Sequence, residues 1–310
     1  MQRAILLVTA VVAACLVALP VCCTTPDTAV RDNPWQLLDA SDRVLLAKIG
    51  INDDTTLQIG IGLMRNAITR HEDPAVRASC AKVLGRLQVK AAADSLMWAL
   101  NDRDVTVRRE AIRALGVLKE RQALVALTNL FHIDPDVENR LMILQTFGVI
   151  GDRRAGPVLA EALTKDADER VRGRAAEVIS GMQDKRAWRQ LIQALSDPSA
   201  AVRARAAQAL GALKEKRADD ELIALLKDEN PDVRTWAANA LGQIGSSKAA
   251  ETLIELLQDP HEGVRAAAAN ALGALKSRRA LKPLEKLAEN DPNDGVREAA
   301  RNAVTVIQGG

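Results

Sequence analysis

Asp228-Glu229-Asn230-Pro231-Asp232-Val233-Arg234-Thr235-Trp236-Ala237-Ala238-Asn239-Ala240-Leu241-Gly242 is the stretch that decides the fold of this chain. Just before it, the apolar residues of Glu221 to Leu226 recur at helical spacing. Asp228 to Pro231 breaks that helix, and proline fits the first turn of the next one. Val233 to Ile244 reads as the second helix, with Ala237, Ala238 and Ala240 where a neighbour must come close. Gly242 and Gly245 loosen its end. Neither helix can bury its apolar stripe alone, so such hairpins must stack on one another.

Moving outward in both directions, the same signs return. Val-Arg recurs at Val76-Arg77, Val107-Arg108, Val171-Arg172, Val202-Arg203, Val264-Arg265 and Val296-Arg297, and Asn139-Arg140 fills the one gap. Leu-Gly or a variant follows at Leu84-Gly85, Leu115-Gly116, Phe147-Gly148, Leu210-Gly211 and Leu272-Gly273. The steps are 31 or 32 residues, so about eight copies fill residues 55–310.

The pattern D-x-(x)-P-x-V-R-x-x-A-A-x-A-L-G resembles the HEAT repeat in its short bacterial form, the one named after phycobilisome lyase subunits. That resemblance covers about four fifths of the chain. It implies an all-α fold, a right-handed α-α superhelix of about eight two-helix repeats. Residues 34–54, opening on Asn33-Pro34, are expected to form an N-terminal capping helix.

Composition agrees with a scaffold. Among 310 residues the aromatic share is 2%, with no Tyr, while the apolar share is 48%. A core built from Ala, Leu, Val and Ile suits closely packed helices better than a pocket-bearing enzyme. Lys plus Arg is 42 against 40 Asp plus Glu. That balance provides no basic groove for nucleic acid, such as a DNA glycosylase of HEAT fold needs.

At the amino terminus one positive charge, Arg3, precedes an apolar run from Ala4 to Val21, followed by Cys22, Cys23 and a polar stretch. Residues 1–23 read as a secretory signal peptide or a lipoprotein signal or anchor, with Cys22 the candidate for lipidation and residues 24–33 a linker. Val12-Ala13-Ala14-Cys15 resembles a lipoprotein signal too, but lies too early. A single lipid needs a second signal for stable anchoring, and no polybasic run adjoins the leader. The expected location is the bacterial periplasm or cell envelope, and membrane contact is expected only through this segment.

Seven repeats carry an Asp six positions before the key Arg: Asp102, Asp134, Asp166, Asp197, Asp228, Asp259 and Asp291, matched by position to Arg108, Arg140, Arg172, Arg203, Arg234, Arg265 and Arg297. A turn Asp and an Arg of the next helix suit charge-assisted hydrogen bonds between adjacent repeats, which fix register. His71 occupies this slot in the first repeat. Cys80 aligns with Ala111, Ile143, Ala175, Ala206, Ala237, Ala268 and Ala300, so it reads as small core filling.

No catalytic residue, metal site or cofactor is expected. His71-Glu72 and His261-Glu262 lie in turns of distant repeats, unlike the four facing His-Glu pairs of the di-iron enzyme deoxyhypusine hydroxylase. There is no Gly-rich phosphate loop and no Gly-x-Ser-x-Gly elbow. The second helices of such a solenoid line the concave face, which suits a protein or peptide partner. Five positions after the Arg lies a polar row, Lys82, Arg113, Gln145, Glu177, Gln208, Asn239, Asn270 and Asn302. Leu141, Met142 and Trp236 stand out beside it, and Trp236 reads either as an interface anchor or as filling between repeats. The expected function is a non-catalytic interaction scaffold. The alternatives are an enzyme or subunit of the bilin-lyase type, whose members attach bilins to phycobiliprotein cysteines, and a purely structural envelope protein.

Overall fold

A computed structural model describes residues 38–53, 57 and 60–309. The signal, lipidation and linker expectations for residues 1–33, and the opening of the cap, lie outside the described residues. Among the described residues there are seventeen α-helices and no strand. Within the stretch expected to form the cap, α1 is short, Ala40–Ala47, and the chain leaves it through Gly50 at a φ of 83°.

Eight helical hairpins follow. The first four pair α2 (Ile61–Arg70) with α3 (Pro74–Arg86), α4 (Ala93–Ala99) with α5 (Val105–Leu118), α6 (Leu124–Ile133) with α7 (Val137–Ile150), and α8 (Gly156–Lys165) with α9 (Glu169–Gly181). The last four pair α10 (Trp188–Ala194) with α11 (Ala200–Ala212), α12 (Asp219–Leu225) with α13 (Pro231–Ile244), α14 (Ala250–Glu255) with α15 (Glu262–Ala274), and α16 (Leu281–Asn290) with α17 (Asp294–Gln308). A one-turn 3₁₀ helix opens each first helix from α4 onward, as at Lys216–Ala218.

Local chemistry sets these boundaries. Asp73, Asp104, Asp136, Asp168, Asn230 and Asn293 each accept the first free N–H groups of a second helix, which would otherwise lack a partner. Second helices stack on second helices through alanine and glycine. A Cβ on Gly85 would lie 2.6 Å from that of Ala114, and one on Gly242 would lie 2.9 Å from the Cα of Ala271. Gly242 therefore does not loosen a helix end; α13 runs through it, and Gly245 at a φ of 79° caps the helix instead. First helices of successive repeats approach each other less closely.

Candidate functional site

The Asp-Arg row fastens the hairpins together, but in a different register from the one matched by position. Each carboxylate belongs to the Arg of the preceding repeat, held through Nε and Nη2: Arg77 with Asp102, Arg108 with Asp134, Arg140 with Asp166, Arg172 with Asp197, Arg203 with Asp228, Arg234 with Asp259, and Arg265 with Asp291. The Arg six residues downstream uses its third nitrogen on the backbone instead. Arg108 Nη1, for example, donates to the carbonyls of Asp102 at 2.9 Å and Arg103 at 3.2 Å. A fork with parallel N–H groups can grip one carboxylate and still cap a turn, and stacking brings the next repeat's turn to its open edge.

Arg77 therefore opens the row. Arg297 closes it on Asp294 of its own helix and on the carbonyls of Asp291 and Pro292. Each Asp also accepts the N–H two residues on, as Asn230 donates to Asp228 at 2.9 Å. His71 replaces it with Nδ1, which accepts from Asp73 N–H at 3.1 Å. Burial pushes the Asp134 carboxyl up, but Arg108, Asn139 and the Asp136 N–H together hold it below its ordinary value.

A second row of acids escaped the reading of the sequence. Asp152, Asp184 and Glu215 are buried just before the 3₁₀ turns, where Arg154, Arg186 and Arg217 pair with them. Their signal is an acid two residues before Arg-Ala, repeated at the period of the array. Arg217 also lies 4.0 Å over the Trp188 ring, joining two repeats.

The polar row of the second helices divides in two. Its charged members are neutralised within the chain. Lys82 pairs with Asp39 and Asp42 of the α1 region at 2.7 Å each, Arg113 with Glu110, and Glu177 with Arg174 and Arg205. Gln145, Gln208, Asn270 and Asn302 are exposed and Asn239 is half-buried. None of these five amides makes a side-chain hydrogen bond to a described residue. Leu141, Met142 and Trp236 are half-buried beside them, whereas Trp98 on α4 is 59% exposed. Cys80 is sealed in the core, and burial pushes its thiol up to about 12, away from reactivity. His71 and His261 sit in separate turns, His261 donating its backbone N–H to Asp259. Among the described residues no group of three or more His, Cys, Asp or Glu is placed to hold a metal ion, and no helix is long and apolar enough to cross a membrane.

The chain is 37% identical over 99 residues to the bilin biosynthesis protein PecE of Mastigocladus laminosus, an alignment covering 30% of this chain and 37% of the relative. The chain thus spans little more than a third of the curated relatives it matches, a Nostoc PecE at 36% identity included. In fold it is similar to importin beta, at 16% identity and a TM-score of 0.63 over 85% of this chain and 42% of the other. The E. coli protein YibA gives a TM-score of 0.57 at 20% identity, covering 80% of this chain and 96% of that one. A family model of HEAT repeats matches residues 63–146, 156–229, 188–261 and 220–305, and the chain belongs to the HEAT-repeat family.

Proposed function

We propose that the protein is an exported, non-catalytic scaffold that takes up an extended segment of a partner protein along its second-helix face. One observation carries this reading: Gln145, Gln208, Asn239, Asn270 and Asn302 present amides that bond to no described residue, while their charged neighbours are closed into ion pairs. An amide offers both a donor and an acceptor, which matches the peptide groups of an extended chain. The ladder carboxylates support a structural use of acid chemistry, because each is gripped by an Arg and a turn N–H. The export part rests on the sequence of residues 1–23.

The test is Gln208→Ala, Asn239→Ala and Asn270→Ala combined in the full chain. Affinity capture from the native envelope fraction, read by mass spectrometry, should lose the partner seen with the unaltered protein, at unchanged helical circular dichroism. Capture at the original level would refute the strip. Recovery of the protein from the cytoplasm alone would refute export. The similarity to PecE favours a second reading, a lyase-type subunit. Visible absorbance appearing on co-expression with a bilin would establish that reading over the first.

A further inference from the structure

The turns joining one repeat to the next all lie on one edge of the stack, and every one carries net positive charge. Lys90, Lys119 with Arg121, Arg153 with Arg154, Lys185 with Arg186, Lys214 with Lys216 and Arg217, Lys248, and Lys276 with Arg278 and Arg279 mark the seven turns in order. Contacts between successive turns show that they sit side by side. Arg121 Nε approaches Asp152 at 3.8 Å, Arg186 Nη2 donates to the Arg153 carbonyl at 2.6 Å, and Lys248 reaches Asp220 at 3.3 Å. Three acids of this edge, Asp152, Asp184 and Glu215, are buried beneath it, whereas Glu120 is half-buried and Asp220, at the start of α12, is exposed. Lys119, Arg153, Lys185, Lys214, Lys216 and Arg279 project as exposed cations that form no ion pair with a described residue.

At the left-handed position closing the second helix, two repeats use Gly151 and Gly245, two use Gln88 and Gln183 at φ values of 55° and 52°, and three use Lys119, Lys214 and Lys276 at 51°, 52° and 50°. Glycine adopts that conformation at little cost and lysine does not. The ladder aspartates lie at the opposite edge, where each is neutralised by the Arg of the preceding repeat.

We propose that this edge is a docking surface for an anionic bilayer. A row of turn tips carrying cations is a line of charge without a groove, which fits a planar polyanion. Trp188, the aromatic nearest the edge, has its ring covered by Arg189 and Arg217 and is not free to stack a base. The chain also begins with an apolar run, Ala4 to Val21. A single acyl chain holds a protein to a membrane only marginally, and a polybasic patch is a usual second signal. That patch is absent from the sequence around the leader because the fold assembles it, one turn per repeat. The inference extends the membrane contact beyond the N-terminal segment and stands apart from the amide strip.

The test compares the full chain with a variant carrying Lys185→Glu, Lys216→Glu and Arg279→Glu, at exposed sites the ladder does not use. Both proteins share the leader, so its contribution cancels. In flotation with phosphatidylcholine vesicles, with and without about one third phosphatidylglycerol, the unaltered protein should favour the anionic vesicles by at least about tenfold. That preference should collapse as salt rises. The variant should lose it at unchanged circular dichroism. Equal binding to both vesicles by the unaltered protein, or a preference kept by the variant, overturns the proposal. So does salt-sensitive binding of a DNA duplex by the unaltered chain with no preference between vesicles.

Discussion

Arg203→Ala tests the ladder most directly. In the folded chain Arg203 donates Nε and Nη2 to Asp228 at 2.8 and 2.9 Å, and Nη1 to the carbonyls of Asp197 and Pro198 at 2.9 and 3.2 Å. The two side chains are 12% and 9% exposed, so water does not readily replace the guanidinium. Removing one partner of a buried pair costs about 3–5 kcal/mol, mostly by stranding the other charge. Asp228 keeps the Asn230 N–H at 2.9 Å and the nearby charge of Arg234, which places the loss at the lower end, about 3 kcal/mol. Arg203→Met combined with Asp228→Asn strands no charge and keeps the turn, so it should cost less than the single change.

The sign of the pH dependence follows from the same site. Burial raises the Asp228 carboxyl, but the hydrogen bonds from Arg203 and Asn230 outweigh it and hold the pKa below its ordinary value. A depressed carboxylate contributes stability above its unfolded pKa and loses it as pH falls through the folded one. The gap between the wild type and Arg203→Ala should therefore be full near neutrality and shrink below about pH 4. Urea melts followed by circular dichroism at several pH values measure both quantities. A neutral-pH difference under about 0.5 kcal/mol would refute a buried, register-fixing pair.

Other outcomes follow from the packing. Gly85→Val should cost at least about 2 kcal/mol, because its Cβ would meet Ala114 Cα at 2.7 Å across two helices; Gly181→Ala, with nothing within 4 Å, should be tolerated in the same thermal melts. Lys214→Gly should stabilise by about 0.5 kcal/mol through relief of the left-handed backbone, read from the urea midpoint. Cys80 should react with a thiol reagent at pH 8 only as fast as the protein opens, and rapid labelling of the folded chain would contradict its burial and raised pKa.

Much of this protein is written locally, in signals a single strand of sequence can carry. The helix breaks at Asp-x-x-Pro, the capping Asp73, Asp104 and Asn230, the alanine stripe and the period itself all act within one hairpin, so hairpin and stack were legible together. The Asp-Arg row was visible as a row, yet its partners were not. Position in the chain pairs Asp102 with Arg108, whereas the translation from one repeat to the next delivers Asp102 to Arg77, across 25 residues. Gly242 likewise reads as a helix end along the chain and proves to be a contact between helices. Which strip residues are free was also decided in three dimensions, since Lys82 is claimed by α1 and Glu177 by Arg205 of the next repeat. So was the charged edge: cations spaced a repeat apart in a nearly neutral sequence become one surface only when stacking removes the residues between them.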